Sequence, residues 1–515
     1  MIVTYNNTGE IGVVKDVAPD AIQKNAWSSV QNMVCQDAAI ERINGHSENY
    51  GTPSIKPYGL FQVTTGTSIY WVYPGLAKAY TVTGSTPVHT DITRVAGDYT
   101  GSSSDRWNGV DSFFGTMIIN NGVDDPQMWA PSTAATALVD LSNWPASTTA
   151  KVIREYKNFL VALNVTESGT NKPHRLMWSQ PADPGSLPSS WDYTDATKDA
   201  GITDIAGSGI LVDCLALGEQ NIIYKEGSTS SMQFIGAPQI FRFAPIFTEA
   251  GMLAQGCAEE INGHHIVLTQ GDLMRHNGVS AESVIDKRMR TWLFKNIDTV
   301  NYTKSIVVKS RSRKEVYVLF ASSGSNNIDT AVVWDYSTNT LTVKDMPNVL
   351  AANSGIIEGA SQNTYDTINE TYAATSKDYT DTEYTPTMPR LMLATDDTKL
   401  LLDDDGNDFD GSQILAFCEK TSLHFGLAQQ YKLIKSIRPR FEAATGTQIK
   451  IYVGTQALID SPIDWSDAQV FTVGTDYESY FLKSGRYISI KFETAGGNKW
   501  RLNAFDVDIE PQGLY

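Results

Sequence analysis

The sequence has 515 residues, 41% of them hydrophobic and 10% aromatic, with 39 glycines, which excludes a disordered chain and is typical of a turn-rich globular protein of two or more domains. Its 40 basic and 58 acidic residues give a net charge of −18, which argues against a general affinity for nucleic acids, because that affinity comes from neutralising phosphates. The sequence has no apolar run of about eighteen residues and no signal-peptide pattern at its N-terminus, so we expect no membrane insertion and a protein made and kept in the cytosol, or assembled into something there.

Residues 1–50 form an entry segment that we expect to close or brace the domain after it. Short apolar runs such as Asn25-Ala-Trp27 alternate with turn residues. The pattern predicts a strand pair that closes the first repeat of the next domain, and Ala21 to Val34 leaves room for a short turn of helix.

From residue 51 to residue 410 the chain repeats one pattern of apolar run, glycine turn and second strand. The pattern is clearest between Tyr156 and Gly278, where Asn221–Gly227 and His265–Gly271 each have three apolar residues, two polar residues and a glycine. Looser copies begin at Ser68, Gly115, Val316 and Leu391. No window keeps a helical period, so we predict small antiparallel meanders that bury their faces against one another, which indicates a β-propeller of six or seven blades.

The end of this region carries a long polar excursion at 350–390, rich in Thr, Tyr, Asn, Asp and Ser. We expect a surface excursion there, with a docking loop for another subunit as the alternative. After the acidic turn Asp403–Asp410 the strands become longer and alternate at period two, as in Lys432–Ile437 and Trp500–Ile509. Residues 411–515 therefore predict a C-terminal β-sandwich-like platform in an all-β protein.

Candidate chemistry is sparse. Asp403–Asp410 has the wrong glycine and glutamate spacing for a calcium loop, so we interpret it as an acidic turn. His264 and His265 are neighbours in a strand, which points them to opposite faces and prevents them from holding one metal ion. The four cysteines have no metal-binding spacing and predict buried, reduced thiols. We therefore predict no catalytic residue, no metal site and no cofactor.

Lys309, Arg311 and Arg313 alternate along the sequence and would share one face of a strand. We treat them as a candidate basic stripe, with three interpretations left open. The stripe is a solvated blade edge, a set of salt bridges to a neighbouring subunit, or a contact with DNA.

Several of these segments, taken in order, resemble the tail nozzle, or tail tubular protein B-like hub, of short-tailed bacteriophages. The resemblance covers almost the whole chain except residues 350–390. Its segments are Asn25-Ala-Trp27, Asn32, Tyr156–Leu163, Arg175–Ser179, Pro181–Asp183, Tyr224–Gly227, Phe234–Gly236, Gly263–Gly278, Ile437–Pro439, Gly485–Tyr487, Trp500–Leu502 and Glu510–Gly513.

The resemblance implies a structural virion protein that forms a homohexameric ring below the portal and adaptor. Such a ring extends the channel for ejection of genomic DNA and offers attachment surfaces for tail fibres, spikes or a needle. Its location would be the virion tail, after assembly in the host cytoplasm. The alternative is a propeller enzyme or glycan-binding tail component that acts on host surface polysaccharide.

Overall fold

The computed structural model describes residues 1–65, 68–84, 86–357, 389–459 and 461–513. These residues form β-strands almost throughout, with one α-helix, α1 (Arg290–Asn296), and two 3-10 turns, Pro19–Ala21 and Tyr302–Lys304. None of the described helices is long and apolar enough to cross a membrane. Most of the predicted polar excursion, from residue 358 to residue 388, lies outside the described residues.

The N-terminal segment contributes seven short strands that are shared between the two parts of the molecule. They are β1 (Ile2–Tyr5), β2 (Gly12–Val13), β3 (Ala26–Trp27), β4 (Ser29–Gln31), β5 (Met33–Gln36), β6 (Ala39–Arg42) and β7 (His46–Glu48).

Five antiparallel sheets of four strands follow, each with its strands in chain order. Blades 1 and 2 contain β8 (Phe61–Thr65), β9 (Ser68–Pro74), β10 (Ala79–Thr83), β11 (Val88–Asp91), β12 (Asn108–Phe113), β13 (Thr116–Asn120), β14 (Gln127–Trp129) and β15 (Val139–Asp140). Blades 3 and 4 contain β16 (Thr148–Tyr156), β17 (Phe159–Glu167), β18 (Thr170–Trp178), β19 (Gly201–Asp204), β20 (Leu211–Leu217), β21 (Gln220–Lys225), β22 (Thr229–Phe234) and β23 (Phe241–Phe247). Blade 5 contains β24 (Ala258–Ile261), β25 (His264–Leu268), β26 (Leu273–His276) and β27 (Ala281–Ser283).

Two further blades share one long strand. The next strands are β28 (Ile306–Ser310), β29 (Glu315–Phe320), β30 (Ile328–Asp335), β31 (Thr340–Gly355), β32 (Arg390–Thr395) and β33 (Leu400–Asp403). The first part of β31 pairs with β30 and completes blade 6, and its second part pairs with β32 and begins blade 7. The outermost strand of blade 7 is β7, which pairs with β33. The N-terminal segment also adds β2 beside β31 of blade 6, and β3 beside β2.

The innermost strands of the blades form a closed circle. In order, β8, β12, β16, β20, β24, β28 and the second part of β31 each lie beside the next, and β31 lies beside β8. Apolar side chains fill each gap between blades, and the gap between blades 7 and 1 is filled by residues such as Trp71, Met392 and Leu402. The fold is therefore a seven-bladed β-propeller, which confirms the predicted fold class.

The C-terminal strands build a sandwich. They are β34 (Phe417–Leu423), β35 (Lys432–Ala443), β36 (Gln448–Gln456), β37 (Asp464–Trp465), β38 (Gln469–Thr472), β39 (Ser479–Gly485), β40 (Tyr487–Thr494) and β41 (Trp500–Pro511). One sheet has the order β39-β35-β41-β6-β5, with β1 also on β41, and the other has the order β37-β36-β40-β34-β4, with β38 on β36. Each sheet thus takes strands from both ends of the chain.

The apolar core runs without interruption from the sandwich into blades 4, 5 and 6. Cys35 and Cys418 belong to this core, and all four cysteines are buried and free, as predicted. The platform therefore packs directly on the propeller.

A buried polar chain connects blades 4 and 5. The Gly278 N–H donates to His276 Nδ1 (3.2 Å), so this ring carries its proton on Nε2. His276 Nε2 donates to the Tyr224 hydroxyl (2.7 Å), which in turn donates to His265 Nδ1 (2.7 Å). His265 Nε2 donates to the Ala216 carbonyl (2.9 Å). Every ring nitrogen has one partner, so both histidines are satisfied in their neutral forms.

The buried polar chain predicts that the folded protein loses stability in mild acid. Burial lowers the pKa of His265 and of His276 from 6.5 to about 4. The unfolded chain binds protons on these rings below pH 6.5, and the folded chain does not bind them until about pH 4. The free energy of unfolding, measured with urea, should therefore fall as the pH drops from 6.5 through 4, by on the order of 3 kcal/mol for each ring.

The control for this prediction is His264, the half-buried neighbour of His265 in β25. Its charge is the smallest of the causes that lower the pKa of His276, so His264→Gln should change the pH dependence of the parent protein only slightly, whereas His276→Gln should flatten it. Equal slopes for the parent, His264→Gln and His276→Gln would contradict the role of the buried chain.

Trp500 gives a second stability prediction. Its ring is buried, its N–H donates to Thr494 Oγ1 (3.0 Å), and it packs edge-on against Phe441 at 5.6 Å. Trp500→Ala should lower the free energy of unfolding by about 3 to 5 kcal/mol. Trp178 is only half-buried, so Trp178→Ala should lower the free energy of unfolding by less. Chemical denaturation followed by circular dichroism measures both, and unchanged stability of Trp500→Ala would show that its burial is wrong.

Candidate functional site

The propeller axis encloses a cavity of about 630 Å³ that is open to solvent. The innermost strands of all seven blades line it, together with the turns that precede them. Propeller axes expose the ends of many backbone groups, so a charged side chain placed there faces a concave, partly desolvated surface. The charged residues that line this cavity are Arg106, Asp111, Arg154, Glu155 and Glu259.

Arg106 spans the axis. It precedes blade 2, yet its guanidinium donates to the carbonyls of Gln255 (2.7 Å), Thr303 (3.1 Å) and Ser305 (2.9 Å), which precede blades 5 and 6. Three carbonyl partners across the ring of blades fix this side chain in place. The Arg106 side chain therefore crosses the propeller axis.

Arg154 is the second fixed cation. It makes a bidentate pair with Asp213 (2.9 Å for both bonds) and donates to the Gly109 carbonyl (2.9 Å). Asp213 also accepts from the Gly256 N–H at 3.0 Å. This pair joins blades 2, 3 and 4 to the turn before blade 5, so Arg154 has little capacity left for a ligand.

Asp111 and Glu155 are the acids of the cavity that form no ion pair with a lysine or arginine of the described chain. Enclosure by the cavity walls raises the pKa of Asp111 to about 6, even though its side chain is reached by solvent. Burial and the charge of Asp111 both raise the pKa of Glu155. Asn353 Nδ2 lies 3.4 Å from Asp111 Oδ2. The cavity thus contains two neighbouring carboxyl groups whose pKa values are both raised.

The predicted basic stripe does not form along one strand, because β28 ends at Ser310 and Arg311 and Arg313 lie in the following turn. Lys309 pairs with Glu259 of blade 5 (2.7 Å), and Arg313 pairs with Asp404 (2.5 Å). Arg311 is exposed. Two of the three cations therefore join neighbouring parts of the same chain.

The other motifs have local roles. Lysine and arginine side chains form salt bridges with three aspartates of the acidic turn. Asp403 pairs with buried Lys344 (2.6 Å), Asp405 with Arg390 (3.2 Å) and Asp410 with Lys399. These ion pairs explain why so many acids lie together in one turn.

Five large apolar side chains of the sandwich are exposed in or next to its strands β36, β38 and β39. Asp464 of β37 accepts from Lys483 of β39 (2.5 Å), and Asp476 accepts from the N–H of Thr472 in β38 (2.7 Å). The five exposed side chains are those of Leu458, Val470, Tyr477, Tyr480 and Leu482. Tyr480 and Leu482 are two positions apart and share the outward face of β39, and we call these two residues the apolar flank. Tyr477 is 89% exposed, Tyr480 69% and Leu482 86%.

Sequence reasoning missed the cavity acids and the apolar flank. The signal for the flank was present: Tyr480-Phe-Leu482 is apolar at three consecutive positions of a strand, and only Phe481 points into the core. The cavity acids had no such signal, because any innermost strand of a blade carries a few polar residues.

Comparisons with known proteins found neighbours in structure but none in sequence. No protein-family model matches the chain, and no curated protein matches it in sequence. The WD40 β-propeller domain of Doa1 is 9% identical, with 70% of this chain and 96% of that chain covered and a TM-score of 0.35. The β-propeller domain of Cps50 (Swd1) of Myceliophteria thermophila is 10% identical, with 70% and 91% covered and a TM-score of 0.31. The propeller assignment rests on the seven blades of this chain itself.

The cavity acids predict a pH-dependent gain in stability for Asp111→Asn. The folded pKa of Asp111 is about 6, above its usual 3.8, so its ionisation lowers the stability progressively as the pH rises from 3.8, and this loss is complete above about 6. Asparagine carries no charge, and the variant should melt at a higher temperature than the parent at about pH 8 but not at about pH 4. The exposed Asp98 provides the control, since Asp98→Asn should have little effect at either pH. An equal gain in melting temperature for Asp111→Asn at both pH values would show that the effect does not come from the charge of Asp111.

Proposed function

We propose that the chain is a structural subunit of a short phage tail, where copies form a ring that extends the portal and adaptor channel for DNA ejection. The resemblance of its ordered sequence segments to tail nozzle proteins motivates the proposal. The observation that carries it is the apolar flank of the sandwich, because a ring-forming subunit needs a surface that a second copy covers.

The apolar flank has the character of a subunit contact. Its two side chains lie on the same face of β39 and are 69% and 86% exposed, and neighbouring exposed apolar side chains mark interaction sites. A stable interface buries about 800 Å² on each partner, so the flank would supply its apolar centre and the surrounding polar residues its rim. In addition, β39 pairs only with β35 and leaves its other edge unpaired within the described chain.

A ring requires a heterologous contact, in which the flank of one copy meets a different surface of the next copy. The hexameric state implied by the resemblance is compatible with such a contact. The adaptor above the ring and the fibres, spikes or needle at its lower side would then be the partners of the remaining surfaces.

The charge of the chain suits a conduit for DNA. In a ring of six copies the net charge is six times −18, or −108 before counterions. Acids repel phosphates, so a duplex would slide past such a surface without binding it. Because the Arg106 side chain crosses the propeller axis, the conduit in this proposal is the axis of the whole ring and not the axis of each propeller.

A second function is favoured by the neighbouring carboxyl groups of the axial cavity. Asp111 and Glu155 have raised pKa values, which is the electrostatic pattern of a general acid that acts on glycosides. In this alternative the chain is a tail component that binds or cleaves host polysaccharide. A monomeric protein that shortens polysaccharide, and loses this activity in Asp111→Asn, would replace the ring proposal with this one.

The ring proposal predicts that Leu482→Glu disrupts self-association. A charge placed in the apolar centre of a contact must be desolvated without a partner, which costs several kcal/mol in a fully buried interface. Sedimentation velocity should show an oligomer for the parent protein and mostly monomer for the variant, with unchanged circular dichroism.

The matched control is Val279→Glu, since Val279 is 85% exposed in the turn between β26 and β27. This variant should sediment like the parent. A parent protein that is monomeric at all concentrations tested, or equal effects of the two substitutions, would contradict the role of the apolar flank.

A further inference from the structure

A second cavity, of about 330 Å³, opens between β1, the 3-10 turn Pro19–Ala21 and the end of β34. It lies in the sandwich, away from the propeller axis. Its walls are mostly apolar and aromatic, and they include Val3, Tyr5, Ile22, Leu423 and Phe425. Its volume is at the lower end of the range of small-molecule sites, about 300 to 1,000 Å³.

Lys420 lies in the wall of this cavity. Alternation along β34 turns its side chain into the sandwich, and the residue is only 4% exposed. Its Nζ donates to the carbonyls of Lys24 (2.8 Å) and Ala26, which also line the cavity. The same nitrogen lies 5.4 Å from the centre of the Tyr5 ring and 5.0 Å from that of Trp27.

No carboxylate lies within ion-pair distance of Lys420 in the described part of the chain. This distinguishes it from Lys344, whose buried ammonium is neutralised by Asp403. A buried cation is costly without an anion, and Lys420 has only carbonyl dipoles and aromatic faces. Burial lowers the pKa of Lys420 to about 7, and the charge of Lys24 acts in the same direction.

The surroundings add positive charge. Lys24 Nζ lies 5.1 Å from the centre of the same Tyr5 ring and forms no salt bridge within the described residues. His424 also lines the cavity but adds a hydrogen-bond donor and not a charge, because its Nδ1 accepts from the Gly426 N–H (3.0 Å) and its proton is therefore on Nε2. Asp20 is the one acid among the residues that line the cavity. In a chain of net charge −18, this is a local excess of cations around an apolar space.

We propose that this cavity, the Lys420 pocket, binds a small organic carboxylate. The carboxylate would pair with the Lys420 ammonium and with Lys24, which are both unpaired in the described chain, and the apolar body of the ligand would pack against Tyr5, Leu423 and Phe425. Binding would supply the anion that the buried cation lacks and would relieve the repulsion between the two lysines. This site is independent of ring formation and of the axial cavity.

The competing explanation is that Lys420 only holds loop carbonyls together. The chain contains lysines that do this. Lys225 is buried and donates to the carbonyls of Ile205 (2.9 Å) and Gly207 (2.7 Å), and Lys432 donates to three carbonyls. Lys420 differs from both because a cavity, a second unpaired lysine and a histidine adjoin it. Lys225 therefore provides a matched control.

The test is isothermal titration of the full chain with benzoate and with hexanoate at constant ionic strength, with chloride and inorganic phosphate as comparison anions. Thermal unfolding in the same solutions provides a second readout. We expect saturable carboxylate binding and a raised melting temperature for the parent protein. Lys420→Met should weaken binding by about tenfold or more, because a hydrogen-bonded charge pair is removed. Lys225→Met should bind like the parent.

Lys24→Met tests the same pocket without touching the core, since Lys24 is exposed. It should weaken binding severalfold while the free protein stays folded, so the inference stays testable if Lys420→Met does not fold. The inference is overturned if the parent binds neither carboxylate, if chloride or phosphate gives the same response, or if Lys24→Met and Lys420→Met bind as the parent does.

Discussion

The closure of the circle of blades is the constraint on which this structure depends. Each blade is apolar on both faces, so no blade is stable unless a neighbour covers each face. The seam between blades 7 and 1 is where the circle closes, and there Trp71 and Met392 belong to one core cluster. The outer strand of blade 7 is β7, which comes from the N-terminal segment, so the two ends of the propeller are joined by strand pairing as well as by packing.

This constraint also determines how the sandwich is held. The N-terminal segment that supplies β7 also supplies β1, β4, β5 and β6 to the two sandwich sheets. The same N-terminal segment therefore closes the propeller and completes the sandwich. Because the apolar core continues from the sandwich into blades 4, 5 and 6, the sandwich that carries the apolar flank packs directly on the propeller.

Much of the fold could be predicted from sequence because the middle strands of each blade are apolar runs separated by a glycine or asparagine turn. The repeats that begin at Ser68, Gly115, Val316 and Leu391 correspond to the middle strands of blades 1, 2, 6 and 7. The number of blades could not be fixed, because outer strands such as β11 and β15 are short and polar, and because β31 serves two blades. Sequence also gave no sign that β1 and β6 pair with β41 at the other end of the chain.

The sites were harder to predict than the fold. The prediction that Lys309, Arg311 and Arg313 share one face required a strand that continues past Arg313. The strand ends at Ser310, and the two arginines lie in the turn that follows it. Lys420 shows the opposite case, since a lysine in an alternating strand would be assigned to the solvent face and is instead buried. Only three-dimensional packing shows which cations lack an anion.

Cryo-electron microscopy of the purified chain tests the central claim most directly, because it images the arrangement of copies and the location of each surface together. The account predicts closed rings in which the outward face of β39 is buried between neighbouring subunits. Single propellers, or rings in which that face is exposed to solvent, would contradict it.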